Sequence, residues 1–554
     1  MRRVFWAVLG VMALGAWGCA TTGHRPPIEG LTPVPTVADN VLSLDQGWDA
    51  KEQGWFWFTS QGSEIVPYDW FLVLESAKDT SLFRADANME RFRYIPMRPT
   101  QDNPDGLPIG FVEAYDSRSG QNWMGLTCAA CHTTQVNYKG TGLLIDGGPT
   151  MADLTLFYDE LIDSMRATHE DDGKFKRFAQ KVLGSDYTEG RASNLRSALL
   201  NQLMKMQQRR DLLASEHRYG FARLDAFGAI LNVVTVENLN LPENKVMANA
   251  PVSYPFLWDA PHSDLVQWNG SAPNAGVGSL LRNVGEMYGV FANVRVDPKR
   301  FPPGYPSSIE IENLGKLEAW LKDLQSPRWP EGILTSIDSE KASRGQGHYQ
   351  QYCASCHAVI DRADPKRVIQ VVMTPLEEVG TDSTMALNFI KRQAKTGPLE
   401  GVPQMLVTGP KLGATASGLD VLVNQVAGAI IAEPVESFKG GLRSYENVPK
   451  AKTNLQAYKA RPLNGIWATA PYLHNGSVPN LRQLLLPAAQ RVKQFHVGSR
   501  EFDPVNVGFE TQEGPGMFLF DTTVAGNSNA GHEYGVKELN ETQRDELLQY
   551  LKTL

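Results

Sequence analysis

Apolar residues recur at helical spacing in two stretches of the 554-residue chain. Within residues 151–235, Leu195, Leu199 and Leu203 stand four positions apart, so they share one face of a predicted helix. Residues 539–554 repeat this pattern. The apolar positions there are Leu547, Leu548, Leu551 and Leu554. Both stretches predict amphipathic helices that bury one face against a core.

The rest of the chain is less regular. Residues 307–325 and 339–360 are also predicted helices, and the second contains glycines that would allow close passage of another helix. Residues 40–100 are rich in aromatic side chains, which predicts the core of an N-terminal extension. Residues 400–530 are rich in Gly, Asn and Pro and predict mainly loops. We therefore expect a mainly α fold with low strand content.

Composition narrows the possible partners. Apolar residues make up 42% and charged residues 21% of the chain, as in an ordinary globular protein. The formal net charge of −8 favours neither nucleic acid nor an anionic membrane surface. No nucleic-acid partner is expected, and the length predicts more than one domain.

The N-terminus is typical of a targeting segment. Arg2 and Arg3 precede an apolar stretch at residues 4–18, which is short for a membrane span and leads into Cys19. A cysteine after a small residue resembles a bacterial lipobox, although Trp17 is atypical there. Ordinary signal-peptidase cleavage nearby is the alternative. We expect export to the periplasm or outer membrane of a Gram-negative bacterium, with a lipid on Cys19 as the only membrane attachment.

The other four cysteines form two Cys-x-x-Cys-His motifs. Cys128, Cys131 and His132 make the first motif, and residues 353–357 make the second, with Cys353, Cys356 and His357. Two thiols followed by an imidazole are the pattern that attaches haem c and supplies its proximal iron ligand. A zinc or redox Cys-x-x-Cys pair is the alternative, and finding two such motifs in an exported chain favours haem. No cysteine is left over for a disulfide or an iron–sulfur cluster.

The wide separation of the two motifs predicts two cytochrome c-like haem domains with loop-rich insertions. A Pro-rich stretch at residues 298–306 is the expected linker. The predicted division is a lipoprotein signal peptide at 1–19, a tether and N-terminal extension at 20–100, an N-terminal c-type haem domain at 101–300 and a C-terminal one at 301–554.

Three further segments resemble parts of a known family. Residues 267–271 (Gln-Trp-Asn-Gly-Ser) are similar to a Phe-Trp-Asp-Gly-Arg segment whose tryptophan lies between two haems. Residues 249–251 (Asn-Ala-Pro) and 469–476 (Thr-Ala-Pro-Tyr-Leu-His-Asn-Gly) resemble segments that supply ligands to a calcium ion. Residues 531–535 (Gly-His-Glu-Tyr-Gly) occupy about the position of the second axial ligand of the C-terminal haem.

Over residues 105–554 the chain therefore resembles the bacterial di-haem cytochrome c peroxidase superfamily. Residues 465–479 look most like the branch of RoxA-type rubber oxygenases. The resemblance implies two covalently bound haem c groups and one calcium ion. We find no equally placed second axial ligand for the N-terminal haem, which would then be open to O₂ or H₂O₂ unless a distant methionine coordinates it.

Individual roles follow from the same resemblance. His532 is the expected second axial ligand of the C-terminal haem, with His474 as second choice. Trp268 would lie between the haems, and Glu286 would move a proton beside the open haem, unless it is an ordinary helix-surface carboxylate. Calcium would be held by Asn249, Thr469 and Pro471, and ordinary turn structure is the alternative for these three.

Three functions remain open. The first is RoxA-like oxidative cleavage of an apolar alkene such as polyisoprene by O₂. The second is reduction of H₂O₂ with electrons from a small donor cytochrome, which a distal Glu286 would favour. The third is electron transfer without catalysis, which requires both haems to be six-coordinate.

Overall fold

The computed structural model describes residues 31–554. The predicted signal peptide, the lipidation candidate Cys19 and the first part of the predicted tether lie outside these residues.

Strands and helices alternate along the described residues. The strands are β1 Thr32–Pro33, β2 Val41–Ser43, β3 Val66–Pro67, β4 Phe111–Asp116, β5 Gln121–Leu126, β6 Thr133–Tyr138, β7 Thr141–Asp146, β8 Arg223–Leu224, β9 Val252–Ser253, β10 Leu265–Val266, β11 Ala272–Pro273, β12 Val372–Pro375, β13 Gln393–Lys395, β14 Thr415–Ser417, β15 Ala457–Ala460, β16 Gln494–Val497, β17 Phe502–Asp503, β18 Gly508–Phe509 and β19 Phe518–Asp521. The α-helices within residues 31–554 are α1 Ala50–Phe58, α2 Tyr68–Val73, α3 Asp86–Arg91, α4 Cys128–His132, α5 Leu154–Glu170, α6 Asp172–Leu183, α7 Glu189–Leu212, α8 Ala226–Asn232, α9 Gly278–Met287, α10 Ile311–Leu321, α11 Ser339–Tyr352, α12 Leu376–Val379, α13 Thr384–Lys391, α14 Gly418–Ala432, α15 Pro434–Arg443, α16 Leu481–Leu484 and α17 Glu541–Thr553.

The prediction of a mainly α fold is wrong. Helices make up 37% and strands 15% of the structure, which is therefore a mixed α/β fold. The largest sheet has the strand order β1-β2-β7-β6, and a three-stranded sheet has the order β3-β5-β4. Local sequence patterns do not predict these strands, because their pairing is partly long-range. Strand β2 pairs in parallel with β7, so Val41 lies opposite Gly142.

The helices predicted from apolar periodicity are present. Helices α5, α6 and α7 fill much of residues 151–235, and Leu195, Leu199 and Leu203 are buried on one face of α7. Residues 400–530 were predicted to be mainly loops, but they contain the helices α14 and α15. Within residues 31–554, no single helix is long and apolar enough to cross a membrane. Helices α14 and α15 meet that test only together, as a pair bent by 106°.

The two cytochrome c-like haem domains are not shown as separate units. One buried core joins Val41 and Leu143 of the four-stranded sheet to Trp467 and to Leu547 and Leu551 of the last helix. The aromatic segment at residues 40–100 contributes to the same core, and its role as a separate extension stays a prediction. Its buried aromatic residues there include Trp48, Phe56 and Trp57. Both ends of the described chain therefore pack together.

The helix before the second motif crosses the last helix closely. A Cβ at Gly345 of α11 would collide with the carbonyl oxygen of Glu546 in α17, so only glycine fits without movement. The rings of Tyr349 and Tyr550 pack beside this crossing, with centroids 5.1 Å apart. The close helix passage expected from the glycines of this segment is confirmed.

Candidate haem sites

The first motif forms a single helical turn between two strands. Helix α4 follows β5 and leads directly into β6. The side chain of Thr127 caps the turn by accepting from the backbone N–H of Ala129 at 3.3 Å. Gly110, with φ +84°, lies against the backbone of Ala130, where a Cβ would not fit. The strands thus fix both thiols and the imidazole of the motif.

Cys128, Cys131 and His132 line a cavity of about 620 Å³. This volume lies in the range of about 300–1,000 Å³ found for small-molecule and cofactor sites. Apolar side chains from both halves of the chain form much of the wall. They include Phe227, Ile230, Leu281, Val290, Leu422 and Val426. Two thiols and an imidazole at the edge of a large apolar cavity fit a covalently attached porphyrin.

The imidazole of His132 is oriented by the backbone. Its Nδ1 lies 2.8 Å from the carbonyl oxygen of Pro255, which accepts its hydrogen and leaves Nε2 free for iron. Burial, and then the charges of Arg282 and Arg461, lower the pKa of His132 to about 4. The ring is therefore neutral near pH 7, as metal ligation requires.

Trp268 and Glu286 both line the cavity that contains His132. The side chain of Glu286 retains 41% of its accessible surface because it faces the cavity. It accepts a hydrogen bond of 2.6 Å from Gln267 Nε2, and burial raises its pKa above the usual value. Trp268 Nε1 donates to the carbonyl oxygen of Ser253 at 2.9 Å. The structure brings both residues to the first motif, and their roles there stay predictions.

The second motif follows the C-terminal end of α11. His357 Nδ1 lies 2.7 Å from the carbonyl oxygen of Arg461, the same arrangement that Pro255 gives to His132. His532 stands opposite, with the two ring centroids 6.0 Å apart and the rings inclined by 49°. Two metal–nitrogen bonds of about 2 Å, plus the radius of each ring, span about this distance. The spacing fits an iron held between the two imidazoles.

A strained loop holds His532 in this place. His532 has φ +53°, a conformation that non-glycine residues seldom adopt, and its N–H donates to the carbonyl oxygen of Val379 at 2.7 Å. The buried guanidinium of Arg491 donates to the carbonyl oxygens of Asn529 and Gly531 at 2.7 and 2.9 Å. Burial lowers the pKa of His532 to about 3, so its ring is neutral and able to bind a metal.

The second choice, His474, lies elsewhere. Its ring stacks on Tyr458 with centroids 4.2 Å apart and meets the edge of Trp268 at 6.5 Å. Burial lowers the pKa of His474 to about 4. The geometry opposite His357 therefore favours His532, while His474 lies beside the tryptophan expected between the haems.

The side-chain hydrogen bonds described for the predicted calcium ligands go to other residues and not to one another. Asn249 Oδ1 accepts from Asn388 Nδ2 at 2.9 Å, and the hydroxyl of Thr469 donates to the carbonyl oxygen of Ile466 at 2.9 Å. Pro471 follows a cis peptide bond with Ala470. Within residues 31–554, no group of three or more His, Cys, Asp or Glu side chains is arranged to hold a metal ion. The calcium site stays a prediction.

A short connection between the two motifs was not foreseen from the sequence. The carbonyl oxygen of Pro255 holds His132, and the carbonyl oxygen of Arg461 holds His357. The guanidinium of Arg461 lies 3.4 Å from the ring centroid of Phe256 and donates to its carbonyl oxygen at 3.3 Å. Pro255, Phe256 and Arg461 therefore link the two histidines. Any residue can offer a backbone carbonyl, so the sequence does not predict these contacts. The feature of this region that is visible in the sequence is the i, i+2 pair of cations, Lys459 and Arg461.

Comparisons with known proteins agree with a cytochrome assignment. A family model described as RoxA-like, cytochrome c-like matches residues 457–496, which include Arg461 and His474. The uncharacterized protein y4iJ of Sinorhizobium fredii is 33% identical over 616 aligned positions, which cover 99% of each chain. The uncharacterized protein y4iM of the same organism is 26% identical over 324 positions, covering 54% of this chain and 63% of its own. The match at residues 457–496 supports the RoxA-like branch, whereas membership of the wider di-haem peroxidase superfamily stays a prediction.

Proposed function

Because this chain belongs to the same family as the uncharacterized protein y4iJ and contains a RoxA-like, cytochrome c-like segment, we propose that it is a haem-based oxidoreductase. More specifically, we propose that it uses O₂ to cleave a carbon–carbon double bond of an apolar substrate such as polyisoprene. Two covalent haem c groups, one at each motif, would serve this reaction.

The observation that carries the proposal is the apolar wall opposite the first motif. Helices α8, α9 and α14 turn Ile230, Leu281 and Leu422 toward the cavity that holds His132. Such a wall favours a hydrocarbon chain, because transferring apolar surface from water into it is favourable by about 25 cal/mol per Å². An alkene would therefore bind beside the haem edge without a charged or strongly polar partner.

A haem attached at Cys128 and Cys131 would supply an iron able to bind and activate O₂. The chain itself orients His132 through the carbonyl oxygen of Pro255. Its apolar walls hold the alkene and exclude water. Both atoms of O₂ end on the two carbons of the broken double bond, which gives two carbonyl groups. The electrons balance without a reductant, so no donor protein is needed for this reaction.

Oxygen uptake tests the proposal directly. The haem-loaded protein is mixed with polyisoprene latex without reductant, and new carbonyl products are measured with a hydrazine reagent. We expect catalytic uptake with carbonyl formation. Leu422→Trp, which fills the cavity, should lower uptake at least tenfold, whereas Leu200→Trp on the exposed side of α7 should not. No uptake by the wild-type protein would overturn the proposal.

Reduction of H₂O₂ is the second candidate, and the position of Glu286 favours it. A carboxylate that faces the cavity beside His132 can take a proton from one peroxide oxygen and give it to the other. Two electrons from a small donor cytochrome and two protons would complete the conversion of H₂O₂ to two water molecules. Removing a general acid–base group lowers a rate by about 10²–10⁴-fold. Glu286→Gln should therefore reduce peroxide turnover by this factor and leave oxygen uptake with latex nearly unchanged.

We also propose that the protein is exported and anchored through a lipid on Cys19. Such an anchor would keep the enzyme at the outer membrane, near a substrate too large to import. Labelling cells with a radioactive fatty acid should mark the wild-type protein, and Cys19→Ala should lose the label and release the protein from the membrane fraction. Equal labelling of both proteins would contradict the anchor.

A further inference from the structure

Two cations, Lys459 and Arg461, line the cavity beside the first motif. They stand at i and i+2, at the end of the extended strand β15, so their side chains leave the backbone on the same face. Within the described residues, Lys459 Nζ has one long hydrogen bond of 3.4 Å, to the carbonyl oxygen of Leu265. Arg461 donates to the carbonyl oxygen of Phe256 at 3.3 Å. Arg461 also lies over the ring of Phe256, 3.4 Å from its centroid, but neither of these contacts supplies a negative charge.

The acids nearest to these cations are already engaged. Asp264, the carboxylate that acts on Lys459, accepts from the backbone N–H groups of Leu265 and Val371 at 2.8 and 3.0 Å. Asp259, which acts on Arg461, is paired with Arg367 at 2.6 Å. A buried cation without a counter-charge is strongly unfavourable, and burial accordingly lowers the pKa of Lys459 well below its usual value. An anionic ligand bound in the cavity would supply the missing counter-charge.

Arg282, a third cation in the cavity wall, serves as an internal comparison. Its guanidinium is paired with the buried carboxylate of Glu318 at 2.6 Å. At this position the protein itself supplies the counter-charge of the cation. Lys459 and Arg461 depart from this pattern, because their side-chain hydrogen bonds within residues 31–554 go to carbonyl oxygens and not to a carboxylate.

The thiols of Cys128 and Cys131 line the same cavity as Lys459 and Arg461. A haem attached by its vinyl groups presents its two propionate carboxylates at the opposite edge of the ring.

We propose that Lys459 and Arg461 bind the two propionate carboxylates of the haem attached at Cys128 and Cys131. This inference rests on the proposed function only in requiring a haem at the first motif, and it holds for either oxidant. Two cations match two carboxylates in number, and Arg461 can bind one of them with two parallel N–H donors. Arg461 also holds His357 through its carbonyl oxygen, so one residue contacts both haem environments.

The test is the midpoint potential of the N-terminal haem in the haem-loaded, full-length protein, measured by optical potentiometry. Loss of a positive charge beside a propionate makes reduction less favourable. Lys459→Met should therefore lower this potential, whereas Lys459→Arg should keep it near the wild-type value. Lys395→Met is the matched control, because Lys395 is exposed, pairs with Glu243 and does not line the cavity. The C-terminal haem provides a check of folding in every variant.

Three outcomes decide the matter. A wild-type potential in Lys459→Met with full haem content overturns the proposal. If Lys459→Met takes up less haem, Lys459→Arg should restore the content, and equal losses in both variants also overturn it. Hexanoate added to the wild-type protein tests an external carboxylate. A saturable change in the haem spectrum that Lys459→Met abolishes, without a change in potential, would overturn the proposal by assigning the pair to a substrate. Failure of oxygen uptake with latex would leave all these readouts intact.

Discussion

The two Cys-x-x-Cys-His motifs share their chemistry but lie in opposite surroundings. The first is a single turn between strands, and its histidine borders a large apolar cavity. The second follows a 14-residue helix, and its histidine faces the ring of His532 at 6.0 Å. In both, a backbone carbonyl orients the histidine. The difference suggests a division of labour under the proposed function, in which the group opposite each motif histidine would set the role of its haem. Open apolar space favours ligand binding, and a second imidazole favours electron storage.

Removing one motif at a time should separate these roles most strongly. The double variant Cys128→Ser with Cys131→Ser should lose one covalent haem and all turnover but keep the spectrum of a bis-histidine haem. Cys353→Ser with Cys356→Ser should instead lose that spectrum. Mass spectrometry of the denatured proteins counts the attached haems. Identical spectra and activities in the two variants would contradict the division of roles.

Opening the second site should make it resemble the first. His532→Ala removes the ring opposite His357, so the C-terminal haem should change from low-spin to high-spin while the haem content stays constant. Electron paramagnetic resonance measures the change. His474→Ala is the control, because its ring stacks on Tyr458 instead. Retention of the low-spin signal in His532→Ala and its loss in His474→Ala would reverse the assignment.

The helix that carries the second motif should be sensitive to volume at one position. Gly345→Ala forces a Cβ against Glu546 and should destabilise the fold by about 1–3 kcal/mol. Gly347→Ala, on the same helix with open space around it, should be neutral or stabilising by up to about 1 kcal/mol. Urea unfolding followed by circular dichroism measures both. Equal effects of the two substitutions would argue against the tight crossing of α11 and α17.

The strands beside the first motif depend on a buried acid, which predicts a smaller, pH-dependent effect. Burial raises the pKa of Asp146 from 3.8 to about 6, against hydrogen bonds from Trp57, Gln53 and Thr133 that lower it. The folded state then binds this proton more tightly than the unfolded state, so its contribution to stability falls as pH rises from about 4 to about 6, by about 2–3 kcal/mol in total.

Asp146→Asn should remove this dependence. The free energy of unfolding, measured by urea titration from pH 4 to pH 7, should favour the wild type most at low pH. Asp39→Asn is the control of opposite sign, because a hydrogen bond from Arg98 lowers the pKa of Asp39. A wild-type advantage over Asp146→Asn that stays constant with pH would show that burial does not govern this carboxyl.

Local patterns in the sequence predicted local structure well. The leucine spacing identified α7. The two-residue connection of β6 and β7 consists of Lys139 and Gly140, which both have positive φ. Strand pairing across about a hundred residues left no such pattern. Helix α14 was missed because residues on all its sides are buried, which removes the amphipathic signal.

The same contrast between local patterns and long-range contacts applies to the candidate site. The motif cysteines and histidines follow from spacing, and the resemblance selected His532, which the structure places opposite His357. The contacts of Arg461, Pro255 and Arg491 depend on where backbone carbonyls meet distant side chains. Residue type alone does not encode such contacts, so only the path of the folded chain reveals them.

The wall of the cavity has a consequence for how the protein is made. It draws on residues from Gln61 to Pro462, so the enclosure is complete only after most of the chain has been synthesised and folded. If a haem is bonded to Cys128 and Cys131, we expect its thioether bonds to form before the wall is complete, and late closure would then hold the ring in place. The topology of the enclosure thus predicts that haem attachment precedes the last step of folding.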